Sequence, residues 1–268
     1  MELSGRVAIV TGGASGIGRA LARRFAAAGA RGVVVADLDW ARAEDVAAEI
    51  GESQAIGVGC DVTDEAQVGS LVDRTTEAFG PVEVFCANAG VGSGRGLDAP
   101  DSDWDLAMSV NVRAHVLAAR RLVPEWLERG EGYFVTTASA AGLLTQIGDA
   151  PYSVSKHAAV GFAEWLSVTF GDRGVRVSCL CPMGVNTPLL NVGLEEDGIE
   201  GLGARVVAAA GDVLEPDEVA QAVVEGMRSE RFLILPHPEV LEFLRRKGSD
   251  YDRWLGGMRR LQTSVAAG

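Results

Sequence analysis

Short runs of β-branched and apolar residues alternate along this chain with longer stretches whose apolar positions recur every three or four residues. Val7 to Val10, Val33 to Ala36, Ala55 to Cys60, Val82 to Cys86, Tyr133 to Thr137, Val175 to Cys181 and Phe232 to Leu235 read as strands. Between them, Arg19 to Ala28, Trp40 to Ile50, Thr63 to Phe79, Tyr152 to Phe170 and Pro216 to Met227 read as helices. Another helix carries Trp104, Met108 and Asn111, with Asp101 or Ser102 as its candidate N-cap. Continuous apolar strands separated by helices predict a parallel sheet joined by right-handed crossovers, with its ligand site at the carboxyl ends of the strands. The stretch from Ala140 to Pro151 reads as a loop.

Two regions depart from this alternation. The apolar and acidic segment after Pro188 is long for a loop at a ligand-binding edge, and predicts a lid over about 188–211. Beyond Pro238, Val240, Leu241, Phe243 and Leu244 form one helix-like run. Tyr251, Trp254, Leu255, Met258 and Leu261 form a second stripe at helical spacing, fit for core, a subunit interface or a cover over a substrate entrance. The expected division is a catalytic domain over 1–236 and a helical C-terminal extension over 237–268.

Composition narrows the function. With 268 residues, 47% of them hydrophobic, the chain can bury one large α/β core. A formal charge of −13 without any basic block argues against nucleic acid or an anionic membrane as partner. The N-terminus leads almost directly into the first strand and no apolar run approaches membrane-spanning length, so a cytoplasmic location is expected. Cys60, Cys86, Cys179 and Cys181 lie in or beside strand-like segments without C-x-x-C pairing, and read as buried free thiols rather than metal ligands.

The chemistry begins at Thr11-Gly12-Gly13-Ala14-Ser15-Gly16-Ile17-Gly18, a glycine-rich turn between the first strand and the first helix. Such a turn presents backbone N–H groups and the positive end of a helix dipole to a phosphate, although tightly packed turns also collect glycine. Asp37 ends the second strand, placed to accept hydrogen bonds from a ribose diol and to repel a 2′-phosphate. With Ala14, Ser15 and Leu38 around it in place of arginine or lysine, NAD is predicted over NADP. Asp61 ends the third strand, where a carboxylate can reach an adenine edge. These features make the expected fold a single Rossmann-type doubly wound parallel sheet with helices on both faces and an extra helical tail.

Tyr152 and Lys156 stand four residues apart, so on a helix both project into the same space. A cation held close to a phenol favours the phenolate, and the reading from sequence is a tyrosine lowered below its ordinary value to serve as general acid/base. Only two of the 24 basic residues are lysines, Lys156 and Lys247, so lysine at this spacing is selective. Ser139 lies at the carboxyl end of a strand on the same sheet edge.

Taken in order, Thr11-Gly12-x-x-x-Gly16-x-Gly18, Asp61, Asn88-Ala89-Gly90, Asn111, Ser139 and Tyr152-x-x-x-Lys156 resemble the short-chain dehydrogenase/reductase family. The likeness spans about Leu3 to Leu235. It implies a catalytic set of Asn111, Ser139, Tyr152 and Lys156. In this set Tyr152 moves the substrate proton, Lys156 lowers its pKa and bonds the nicotinamide ribose, Ser139 holds the substrate oxygen, and Asn111 supports a water leading to solvent. It further implies NAD held by Gly12, Ser15, Gly16, Ile17, Gly18, Asp37, Leu38, Asp61, Val62, Asn88, Ala89, Gly90, Tyr152, Lys156, Pro182, Val185 and Thr187. Asp61 and Asn88 match the adenosine side, Val185 and Thr187 the nicotinamide carboxamide.

Three positions depart from the family pattern: Ala87, Ala114 and Met183, the last where glycine is usual after Pro182. Within the family, Cys181-Pro182-x-x-Val185-Asn186-Thr187 and His157 look like the hydroxyprostaglandin dehydrogenase branch. Leu143, Leu144, Ile147, Met183, Leu189 and Leu190 are expected to form an apolar mouth for a hydrophobic secondary alcohol or ketone. A 3-oxoacyl thioester reductase and a non-catalytic NAD-sensing module are the alternatives, and the resemblance implies a homodimer or homotetramer.

Overall fold

Every residue of the first strand is buried, as its unbroken apolar run requires of a strand covered on both faces. The computed structural model describes residues 1–196 and 201–266. Residues 197–200 of the expected lid and the last two of the expected extension lie outside them. In chain order the elements are β1 (Val7–Thr11), α1 (Gly16–Ala27), β2 (Gly32–Asp37), α2 (Trp40–Ile50), β3 (Ala55–Gly59), α3 (Glu65–Phe79), β4 (Val84–Ala87), α4 (Asp101–Met108), α5 (Ala114–Arg129) and β5 (Gly132–Thr137). They continue as α6 (Ala141–Leu144), α7 (Ala150–Phe170), β6 (Val175–Leu180), α8 (Pro188–Glu195), α9 (Leu202–Ala210), α10 (Pro216–Arg228), β7 (Leu233–Ile234), α11 (Glu239–Ser249) and α12 (Tyr251–Ala266).

The strands form one parallel sheet in the order β3-β2-β1-β4-β5-β6-β7. Strand alternation splits its side chains into two apolar layers. Ala8, Val10, Val33 and Val35 pack under α1, α2 and α10. Ile9, Val34, Phe85 and Phe134 pack under α3, α5 and α7. Because β1 lies between β2 and β4, the winding reverses beside it, and a crevice opens at the carboxyl ends of these strands.

Four local readings are corrected. The N-cap of α4 is Pro100, so Asp101 and Ser102 sit inside the first turn, where Asp101 and Asp103 complement the helix dipole. The helix through Asn111 is not continuous, because a π-turn over Ser109–Arg113 separates α4 from α5. The predicted loop after Ser139 contains α6, and α7 starts two residues early, capped by Asp149 with Pro151 in its first turn. The described part of the lid is two helices, α8 and α9, rather than loop. Among the described residues no helix is long and apolar enough to cross a membrane.

Candidate active site

A cavity of about 1370 Å³ runs along the carboxyl edge of the sheet, and all the residues expected to hold NAD line it. At one end the Asp37 carboxylate accepts from Ala14 N–H at 3.0 Å and from Asp39 N–H at 3.1 Å. A carboxylate offers about four acceptor sites, so capacity remains for a diol facing the cavity. Leu38 beside it is 79% exposed and offers a 2′-phosphate no counter-charge.

The glycine turn leads into the N-terminus of α1, where the Ser15 side chain caps nothing. Gly16 has φ +49°, and a Cβ there would lie 3.0 Å from Thr187 Cγ2, filling the gap between turn and facing loop. This open N-terminal cradle fits a pyrophosphate, and with Asp37 it fits NAD. Asn88 braces the turn: its Nδ2 donates to the Thr11 carbonyl at 3.0 Å and its Oδ1 accepts from Thr137 Oγ1 at 3.1 Å. That amide is committed to the protein, so Asn88 shapes the adenosine side through the turn it holds. Asp61 Oδ1 accepts from Thr63 N–H and Oγ1–H at 2.9 and 2.7 Å, which fixes the loop after β3.

At the other end Ser139, Tyr152 and Lys156 meet. Lys156 is 2% exposed, and its Nζ donates to the Thr137 carbonyl at 2.9 Å and lies 5.6 Å from the Tyr152 ring centroid. Burial pulls its pKa down to about 8, opposed by the Cys181 and Cys179 thiols. Tyr152 departs from the reading from sequence. Burial pushes its phenol above the ordinary value, the Ser139 hydroxyl hydrogen bond pulls the other way, and Asp149 adds to the rise. The ammonium therefore does not hold the phenol below 10 here, because desolvation acts on both groups at once.

Asn111 lies behind the cavity wall, fully buried. Its Oδ1 accepts from Val91 N–H at 2.9 Å, and its Nδ2 donates to the Val91 carbonyl and Ser155 Oγ, both at 2.9 Å. It thus ties the loop after β4 to the helix that carries tyrosine and lysine. Gly90 completes this corner, since a Cβ there would lie 3.2 Å from Lys156 Nζ and 3.3 Å from Asn111 Oδ1. Of the expected apolar mouth, Leu144, Ile147, Met183, Leu189 and Leu190 line the cavity. Leu143 does not; it packs against the apolar layer under α3, α5 and α7 and against the cluster around Val240. The four cysteines are free and buried, and Cys60 also borders the cavity.

Asp149 is a site residue that the sequence reading missed. It is 7% exposed and accepts from Ser93 N–H, Gly94 N–H and Tyr152 N–H at 2.8, 2.7 and 2.9 Å. One carboxylate thereby caps α7 and fastens the loop facing Tyr152. An Asp two residues before Pro151 is a readable N-terminal signal, but its reach to residues 93 and 94 is not. Asp149→Ala is expected to destabilise the fold by about 1–3 kcal/mol, through the lost cap and the stranded donors. Urea melts of the variant beside wild type measure this, and turnover should fall with it.

Comparison with known proteins agrees with this geometry. The short chain dehydrogenase family profile matches residues 6–198. The 1-deoxy-11-beta-hydroxypentalenate dehydrogenase of Streptomyces exfoliatus is 38% identical over 93% of this chain and 90% of its own length. The mitochondrial (-)-isopiperitenol/(-)-carveol dehydrogenase of Mentha piperita is 36% identical over 88% of this chain and 91% of its own. A short chain dehydrogenase/reductase from Burkholderia phymatum, solved in complex with NAD, superposes with TM-score 0.85 at 32% identity, covering 94% of this chain and 96% of that one. The chain therefore belongs to the short-chain dehydrogenase family.

Proposed function

We propose that the enzyme oxidises a secondary alcohol on a hydrophobic skeleton, or reduces the matching ketone, with its chemistry centred on Tyr152. The observation that carries this reading is the placement of Ser139, Tyr152 and Lys156 on one wall of a cavity whose far part is apolar, lined by Leu144, Ile147, Met183 and Leu190. Similarity to relatives named as dehydrogenases of hydroxypentalenate and of isopiperitenol or carveol supports it.

Bound NAD supplies the hydride acceptor. Ser139 orients the substrate oxygen by hydrogen bond, Tyr152 takes the hydroxyl proton, and Lys156, whose Nζ lies 5.6 Å from the centre of the tyrosine ring, is the buried cation beside it. Asn111 and Asp149 act at one remove, by fixing the helix and the facing loop. Asp37 and Leu38 select NAD at the ribose. Trp165 and Val168 of α7, 55% and 88% exposed, support a homodimer or homotetramer through this helix. We place the enzyme in the cytoplasm, with residues 1–236 as its catalytic domain and 237–268 as its extension.

NADH formation from NAD, beside NADPH formation from NADP, over a panel of cyclic and open-chain secondary alcohols tests the proposal. Turnover with NAD that grows with the apolar size of the alcohol is expected. Activity confined to NADPH and a 3-oxoacyl thioester, or NAD binding without turnover on any alcohol, would overturn it.

A further inference from the structure

The chain's two lysines are used in the same way. Lys247 is 9% exposed, its Nζ donates to the Leu143 carbonyl at 2.7 Å, and it lies 5.5 Å from the Tyr251 ring centroid. Lys156 makes the same pair of contacts, at 2.9 Å to the Thr137 carbonyl and 5.6 Å to the Tyr152 ring. A compact ammonium can serve one buried carbonyl, whereas a guanidinium brings five donors in a rigid plane that such a place cannot satisfy. Lys156 belongs to the reaction. Lys247 has no part in it.

What Lys247 holds is the C-terminal extension. Leu143 lies in α6, directly after Ser139, so the bond ties α11 to the segment that carries a substrate-facing hydroxyl. Around this tie Ala140 and Leu144 pack with Val240, Phe243, Leu244 and Trp254. Farther along, Met258 and Leu261 of α12 pack on Ile147, Leu202 and Val206. A second fastening sits at the root of the extension: His237, 2% exposed, accepts from Met183 N–H through Nδ1 at 3.1 Å, and its Nε2 donates to the Gly184 carbonyl at 3.1 Å. Phe243, Trp254, Met258 and Leu261 all reach the cavity. On the facing side α9 is held by Gln146, whose Nε2 donates to the Gly203 carbonyl at 3.1 Å.

We propose that Lys247 is a positioning residue that fastens α11 and α12 as the far wall of the substrate cavity, and that this wall recognises the rigid, multi-ring apolar body of the alcohol. The inference rests on the secondary-alcohol reading above. Walls held at both ends set a fixed depth beyond Tyr152. A compact ring body fills such a space without the ordering entropy of a long flexible chain.

The test compares wild type with Lys247→Met, using kcat/KM for decahydro-2-naphthol divided by that for cyclohexanol, and amide hydrogen exchange along Glu239–Ser249 and Tyr251–Ala266. The expected result is faster exchange in both helices and a ratio lowered about tenfold, carried by KM of the larger alcohol, the scale of a lost apolar contact. Met258→Trp, which adds bulk to the wall and leaves the clamp intact, should lower the same ratio. Unchanged exchange in Lys247→Met overturns the clamp, and an unchanged ratio in Met258→Trp overturns the wall. If wild type turns over neither alcohol, the functional reading fails instead. Exchange then still judges the clamp, and the thermal shift given by decahydro-2-naphthol to wild type but not to Met258→Trp judges the wall.

Discussion

Tyr152→Phe is expected to lower turnover by about 10³-fold while NAD affinity stays near that of wild type, the scale of a lost general base. The Tyr152 side chain is half-buried and its hydroxyl is paired with Ser139, so the substitution removes one atom and leaves the packing of the ring intact. Stopped-flow measurement of NADH formation, beside calorimetric titration with NAD, separates the two effects. Loss of NAD binding would instead make Tyr152 a structural residue.

The pH dependence of the same reaction follows from the pair rather than from the tyrosine alone. Burial raises the phenol and lowers the ammonium to about 8, so Lys156 is the first of the two to lose its proton, at about 8. On the proposed mechanism, the site with Lys156 deprotonated is the form that accepts the substrate proton. Alcohol oxidation by wild type should therefore rise with pH through about 8.

Lys156→Met is the second large effect, and it acts in opposite directions on activity and stability. Turnover should fall at least 10²-fold, and its rise with pH should move above the ordinary tyrosine range, because the group that titrates at about 8 is gone. The fold, by contrast, should become more stable at pH 7. Bringing the ammonium from its ordinary 10.5 to about 8 costs the folded state about 3 kcal/mol by the usual conversion. Part of the gain is lost again, because Thr137 forfeits its donor.

The sign of the linkage is fixed by the depressed folded value. Between about pH 8 and 10.5 the unfolded chain binds the proton that the folded chain has lost, so wild-type stability rises with pH across this window. Tyr152 opposes this only above its ordinary value of 10, where the unfolded phenol ionises first. Urea melts of both proteins at pH 7, 8, 9 and 10 should therefore converge as pH rises. Parallel curves would show that Lys156 carries no burial cost.

Strand and helix order was legible because fully buried parallel strands must be apolar throughout and their crossover helices must be apolar on one side. The residues proposed to hold the cofactor could be named from sequence for a similar reason: a turn that admits a phosphate needs glycine, and a diol needs an acceptor at the strand end. Gly16 and Asp37 stand where those needs put them. Residues whose meaning depends on a distant partner were not legible. Asn88 reads as a ligand contact in sequence; in space it lines the cavity and also braces Thr11 to Thr137, a role no spacing shows. Leu143 and Leu144 are adjacent apolar residues, and only the turn of α6 decides which of them faces the cavity.

The sequence by itself determined the sheet, the nicotinamide dinucleotide and the tyrosine-lysine pair, because each rests on local periodicity or on a spacing within one turn of helix. Tertiary structure alone decided which way burial moves the titration of that pair and the shape of the substrate cavity. Desolvation of Tyr152 and Lys156 comes from everything packed over them, which no spacing encodes. The far wall likewise joins Leu143 to Lys247 across 104 positions of chain, a contact that exists only once α11 has docked on α6.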